Sequence, residues 1–364
     1  IGVGREGATA LSASLNFIMR DGCGMASTLL FTAAAASKFR GDVKRWRLFA
    51  DLINDIGITL EVAATLVPRH LFLPMICAGN MCKAICGVAA GACNGAINLH
   101  WARGSDISDI NAKFGAQHTV TGSLGLVFAA TFARSVSATS QLTLWTLYSA
   151  LTVLHIVANM QCLKLIAFDH LNTSRIDAVV KAFLLAMEKS DKKIDEIIPL
   201  DTPMKIAKSE PLYFGARSGF RRLSAYPIRI GVSFNTLAHL SRRDKMSLSN
   251  LSSRIKSDQY VISVGDINGK KKGQAILVAF GIDANGRVKS KAYLHAMILC
   301  HILQKYDISA TQFQTLEEKN IMAETTAAAR VESLWSGFAK SAHRAGWDLE
   351  GTELRSEGYE LSLK

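Results

Sequence analysis

The chain contains no CxxC pair, no HExxH, no GxSxG and no Walker A signature, and it has only 6 prolines in 364 residues. The missing HExxH and GxSxG remove the familiar zinc-protease and serine-hydrolase readings, and the missing Walker A removes a phosphate-cradling loop. Residues 2–7 match GxGxxG in form, but no strand precedes them, so they are not a dinucleotide fingerprint. The seven cysteines, Cys23, Cys77, Cys82, Cys86, Cys93, Cys162 and Cys300, lack metal-ligand spacing, and all but the last lie in apolar surroundings. An odd, unpaired set of this kind reads as reduced, buried thiols inside a cell, with neither a disulfide framework nor a metal site. No run interleaves basic and aromatic residues, and the densest basic cluster, Lys270 to Lys272, falls in a turn. The net charge of +12 is therefore not a nucleic-acid footprint. His100, His118 and His155 sit on apolar stretches without carboxylates or thiols at ligand spacing, so they read as packed or interfacial side chains. Enzyme signatures are thus mostly absent, and neither a cofactor nor a metal is expected.

Long apolar segments fill the space those motifs leave. Hydrophobic residues make up 49% of the chain and charged ones 20%, which is apolar for a soluble protein. Five segments occupy the first half: roughly 8–37, 48–67, 71–101, 114–133 and 135–163. The last has no Asp, Glu, Lys or Arg across 29 residues, more than the ~20 needed to cross the hydrocarbon core. The segment 114–133 is also uncharged, but three glycines and several polar residues make it marginal. Pro68 and Pro74 bracket an expected break, and Arg20-Asp21-Gly22 interrupts the first segment. The chain begins at Ile1 without a methionine, so a fragment or processed form is expected, with any targeting segment outside it.

Within the third segment Gly87, Gly91 and Gly95 recur every four residues, and Ala84 to Trp101 carry no charge. On a helix these glycines share one face, which predicts close helix packing of the kind used in lipid. In the run 47–57, at the start of the second segment, Arg47, Asp51, Asn54 and Asp55 fall at i, i+4, i+7 and i+8. That spacing places a base, two carboxylates and an amide on one helical face, either as a structural polar network or as a proton or cation relay. Arg20, Asp21 and Lys83 are further charges in apolar segments and would line a path if the protein has one.

Beyond about residue 169 the character changes. Residues 174–189 form an amphipathic helix pattern, 226–233 reads as a strand, and 259–264 with 274–282 reads as a hairpin around Asn268-Gly269. Two helices, about 289–305 and 322–345, follow. The expected architecture is an N-terminal all-α, membrane-type helical bundle followed by a smaller α+β C-terminal domain. Its expected divisions are 1–190 for the helical core, 191–224 for a linker and 225–364 for the α+β domain.

The stretches WRLFADLINDIG (46–57), GNMCKAICGVAAGA (79–92) and HWARGSDISDINAKFGAQHT (100–119), with DGCG at 21–24, resemble the core of the root UVB sensitive family. The resemblance extends over nearly the whole chain. Relatives carry Thr-Arg and Glu where this chain has Cys93-Asn94 and His118, so a family ion pair is expected to be replaced here by neutral groups. Membership implies a membrane-associated, non-enzymatic protein on an intracellular membrane, in plants a plastid one. It further implies roles in ultraviolet-B response, vitamin B6 homeostasis and auxin transport, exerted through complexes with a family paralogue or with itself. Membrane lipid is the other expected partner. A different class remains open: a transporter of a small anion or vitamer, with Arg20, Asp21, Asp51, Asp55 and Lys83 along its path. A pyridoxal phosphate enzyme ranks last, since no lysine has a Schiff-base context.

Overall fold

The computed structural model describes residues 10–102, 106–136, 140–189, 197–214, 226–241, 259–266, 273–308 and 315–354. The glycine motif at 2–7, Arg103 to Ser105 and the basic turn at 268–273 lie wholly or largely outside these residues. The chain forms two compact units, residues 1–163 with 212–214, and residues 164–211 with 215–364. The first is mostly helical and the second α+β.

Five helices build the first unit: α1 (Ala10–Ala35), α2 (Val43–Ala63), α3 (Arg69–Ala102), α4 (Ile107–Val136) and α5 (Gln141–Leu165). Contrary to the expected break, α1 runs unbroken through Arg20-Asp21-Gly22. Pro74 likewise sits inside α3 without ending it. It lies in the second turn, where little helix precedes the ring, so the lost hydrogen bond is tolerated. Helices α2 and α3 cross at Gly57 and Gly79. A Cβ at Gly57 would lie 2.7 Å from the Gly79 carbonyl oxygen, and one at Gly79 would lie 2.8 Å from that of Gly57. From Gly79 the seam continues through Cys82, Cys86, Ala89 and Cys93, spacings of three and four that keep one helix edge against its neighbour. Ala89 and Cys93 are fully buried, and the Cys93 thiol donates to the Val43 carbonyl at 3.3 Å. An aromatic cluster of Phe31, Phe39, Trp46, Phe49 and Phe214 closes one end, with the Trp46 and Phe214 ring centroids 4.8 Å apart.

The glycine stripe does not take part. Gly87, Gly91 and Gly95 are exposed, and a Cβ at any of them would meet nothing within 4 Å. The expected packing at these three residues is therefore not made by any described residue of this chain. Helix α3 turns its cysteine and alanine edge inward instead, because those side chains bury apolar surface and glycine has none to bury. Helix α4 is exposed at almost every residue, and α5 is exposed except along one edge. Asn94 is half-buried on α3 and His118 exposed on α4.

The second unit contains β1 (His170–Asn172), α6 (Thr173–Lys189), α7 (Pro203–Ser209), β2 (Ile228–Ile230), α8 (Phe234–Ser241), β3 (Tyr260–Asp266), β4 (Gln274–Phe280), α9 (Gly286–Ile308), α10 (Leu316–Arg344) and β5 (Asp348–Glu353). The three-stranded sheet has order β2-β4-β3, with β3 and β4 antiparallel in the register Tyr260 to Phe280 and β2 parallel to β4. One face packs on α9 and α10, while Val232 and Leu237 cover the other at Val261, Ala275, Leu277 and Ala279. Strands β1 and β5 form a separate parallel pair. Thr315 caps α10 by accepting from the Glu318 N–H at 3.1 Å, so this helix starts six residues earlier than the pattern at 322 implied.

The amphipathic helix expected at 174–189 is α6, and its Ile176, Val179, Val180 and Phe183 are buried in the core of this second unit. The two compact units divide at residue 163, ahead of α6. An apolar face of this width is stable only against a core, and that core is supplied by α9 and α10.

At the start of α6 lies a buried ion pair. Arg175 and Glu210 are joined at 3.1 Å (Nε to Oε1) and 3.2 Å (Nη2 to Oε2), with side-chain exposures of 3% and 4%. Asn172 donates to the same carboxylate at 3.0 Å and its Oδ1 caps α6 through the Ser174 and Arg175 N–H groups. The Arg175 guanidinium lies 4.9 Å from the Phe168 ring centroid.

On α9, His301 lies 2.8 Å from Glu188. Burial holds its pKa below the usual histidine value, opposed by Glu188 and assisted by Lys305 and Arg330. Since the unfolded histidine binds its proton at higher pH than the folded one, stability is retained above the unfolded value near 6.5 and falls as pH drops below it. Urea unfolding between pH 7.5 and 5.5 should show that fall, and His301→Gln should flatten it; an unchanged slope would assign the acid sensitivity elsewhere.

Candidate functional site

The polar face of α2 organises the site. Arg47 and Asp51, one turn apart, form the expected ion pair, with the Asp51 carboxylate nearly buried. Asp55, one further turn along, faces α5: its Oδ2 lies 3.0 Å from His155 Nδ1, and His155 Nε2 lies 2.9 Å from Asn159 Nδ2. The Tyr148 hydroxyl sits 2.8 Å from Thr59 Oγ1 and donates to the Asp55 carbonyl at 3.3 Å, while Thr59 donates to that carbonyl at 2.7 Å. Two elements thus hold Asp55 through both its carboxylate and its backbone.

Asn54 is half-buried and makes no side-chain hydrogen bond among the described residues, so the structure does not bring it into the cluster. His155, expected to be packed or interfacial, partners Asp55 across the α2–α5 contact. The signal was present on α5. Tyr148, Thr152, His155 and Asn159 fall at i, i+4, i+7 and i+11, a polar stripe on a helix whose only charge is Lys164.

Further ion pairs lie in this unit. Lys83 on α3 pairs with Glu61 on α2 at 2.6 Å, Arg45 with Asp42 at 3.4 Å, and Arg20 with its neighbour Asp21 at 2.8 Å. Adjacent helical residues point about 100° apart, an angle that the long arginine side chain spans. The Asn80 amide donates to the Arg20 carbonyl at 2.9 Å, fixing α1 to α3. Chemically, the Asp55–His155–Asn159 chain can hold and orient one proton. No group of three metal-ligating side chains exists among the described residues.

The fold defines a class: a mostly helical N-terminal region joined to a smaller α+β C-terminal region, with no solved structure that matches. Residues 1–187 match the vitamin B6 photo-protection and homoeostasis domain, and residues 200–360 match the root UVB sensitive protein C-terminal domain. The chain belongs to the root UVB sensitive family. It is 28% identical over 312 residues to protein root UVB sensitive 3 of Arabidopsis thaliana, covering 84% of this chain and 66% of that protein. It is 28% identical over 245 residues to RUS family member 1 of Dictyostelium discoideum, covering 67% and 43%. To protein root UVB sensitive 2, chloroplastic, of Arabidopsis thaliana it is 30% identical over 170 residues, covering 47% and 39%. The chain therefore spans between about two fifths and just under two thirds of the length of these relatives.

Proposed function

We propose that this protein is a non-enzymatic membrane scaffold that acts by assembling with a second copy or a family paralogue. The observation that carries this reading is the exposure of its apolar helices. Helices α3 and α5 are each long and apolar enough to cross a membrane, and only 11% and 0% of their apolar windows are buried. A core helix of a soluble protein would be largely covered, whereas these two leave side chains such as Leu99, Val153, Leu154 and Val157 uncovered. Lipid, or a further helix, completes them. The exposed glycine face of α3 at Gly87, Gly91 and Gly95 is where another chain's helix would approach closest.

Pairing of the charges favours a scaffold over a conduit. A transport path needs its ionisable groups along one continuous cavity, whereas Arg20, Asp21, Asp51, Asp55 and Lys83 each meet a partner. By resemblance to its relatives the protein would serve vitamin B6 homeostasis and ultraviolet-B response, on an intracellular membrane that in plants is a plastid one. Links to auxin transport belong to the same proposal.

A small-anion or vitamer transporter is the second reading, favoured by the Asp55–His155–Asn159 chain between apolar helices. Proteoliposomes distinguish the two. With protein shown by flotation to be inserted, the scaffold predicts no saturable uptake of pyridoxal vitamers or small anions. Saturable uptake lost in both Asp51→Asn and Asp55→Asn would overturn it and make the polar face a relay. Failure of folded protein to float with the vesicles would remove the membrane from both readings.

A further inference from the structure

We propose that Cys23 and Cys77 are a reversible redox pair that closes a disulfide between α1 and α3. The two residues are far apart in the sequence and share no motif, yet the fold brings their thiols together across the α1–α3 seam, where they share a hydrogen bond. Close approach of the two helices accounts for the meeting. Asn80, one turn after Cys77, donates to the carbonyl of Arg20, one turn before Cys23, at 2.9 Å. At Gly24, the next residue after Cys23, a Cβ would lie 2.6 Å from the Asn80 amide nitrogen and 3.8 Å from the Ala84 Cβ. The Ser27 hydroxyl, one turn after Cys23, donates to the Met81 carbonyl at 3.4 Å. Helix axes pack about 8–10 Å apart with Cα atoms about 2.3 Å off each axis, so facing Cα atoms come within about 4–6 Å, the span a disulfide requires.

The two thiols differ in access. Cys77 is buried, at 9% exposure, whereas Cys23 is partly open. That difference assigns the first step to Cys23 and the second to Cys77. With a hydroperoxide as oxidant, the Cys23 thiolate attacks the outer peroxide oxygen, the O–O bond breaks, and an alcohol or water leaves, so that the sulfur becomes a sulfenic acid. The Cys77 sulfur then attacks the Cys23 sulfur. The S–S bond forms, the S–O bond breaks, and the hydroxyl departs as water with the Cys77 proton. Two electrons have passed from the thiol pair to the peroxide. A dithiol reductant reverses the change by thiol–disulfide exchange.

The consequence falls on α1. Leu15, Ile18, Met25 and Leu29 of this helix are exposed, so it is held through the edge that carries Cys23, Gly24 and Ser27. A bridge to Cys77 fastens that edge to α3 and closes a loop that contains all of α2. Closing a long loop restricts the unfolded chain, so oxidation stabilises the helical unit and reduction releases it.

Mass spectrometry of the full chain in detergent, treated with hydrogen peroxide, tests this. The protein should lose about two mass units, and digestion should yield a peptide linking Cys23 to Cys77 at least about tenfold sooner than any other cysteine is oxidised. Dithiothreitol should restore both thiols. The thermal midpoint of the oxidised protein should lie about 5 °C or more above that of the reduced one. Cys23→Ser, a change on a partly exposed side chain, should abolish both the linked peptide and the rise in midpoint while the reduced protein still folds. Cys77→Ala should abolish them too and leave a sulfenic acid at Cys23 that dimedone traps; should this variant fail to fold, Cys23→Ser decides alone. A bridge between other cysteines, oxidation of Cys23 without a bridge in the unsubstituted chain, or a midpoint that oxidation does not move would each overturn the proposal.

Discussion

Glu210→Ala should destabilise the second unit by about 3–5 kcal/mol, the usual cost of stranding one partner of a buried pair. The arginine side chain is only 3% exposed, and a guanidinium cannot escape the cost by shedding its proton. Asn172 would lose its acceptor at the same time, weakening the start of α6, which carries Ile176, Val179, Val180 and Phe183 into the core. Urea unfolding of the full chain, followed through Trp335 and Trp347, measures the effect. The double replacement Arg175→Met with Glu210→Leu should recover most of the loss, because it removes both charges and keeps the volume. A single-variant cost below about 1 kcal/mol would mean that water reaches the pair and that the ion pair is not what holds α6 to its strand.

The second large effect is expected at the α2–α3 crossing. Gly79→Val should cost about 3 kcal/mol or more, since its Cβ would collide with the backbone carbonyl of Gly57 and with the Glu61 side chain, and backbone yields less readily than a flexible side chain. The collision would also disturb the Glu61–Lys83 pair, 2.6 Å long in the native crossing. Gly91→Ala on the same helix should behave in the opposite sense. Nothing lies within 4 Å of its Cβ position, so the alanine gains helix propensity of up to about 1 kcal/mol. Thermal unfolding in detergent, read from Trp46 in the aromatic cluster, separates the two. Were Gly91→Ala to destabilise the protein in a concentration-dependent way, the stripe would be packing against a second chain, as the scaffold reading requires of an assembled form.

These contrasts show why the helical unit was only partly legible in its sequence. Spacing alone marked Gly87, Gly91 and Gly95 as a packing face, yet the helical glycines of this unit that meet another helix are Gly24, Gly57 and Gly79, which belong to no four-residue repeat. Close approach depends on where two helices cross, and a repeat within one helix carries no information about its neighbour. The polar cluster was more legible. Arg47 and Asp51 pair one turn apart, as helix geometry alone requires, whereas Asp55 finds His155 a hundred residues away. The Tyr148–Thr152–His155–Asn159 stripe could have announced that partner, because a polar line along a nearly uncharged helix needs something polar to face.

In the second unit the β3–β4 hairpin, α6 and the two long helices follow from alternation, amphipathic period and turn residues, all local properties. The parallel strands β1 and β5 were not foreseen. They are short, lie far apart in the chain, and owe their pairing to the helices that bring them together. The sequence by itself determined the family, the helical and α+β halves, the apolar segments and the local ion pair of α2, because each rests on contacts within a few turns or on ordered motifs. Only the tertiary structure decided which glycines touch, which histidine meets Asp55 and that α6 packs in the second core. Those outcomes depend on which surfaces remain after the long-range contacts have formed.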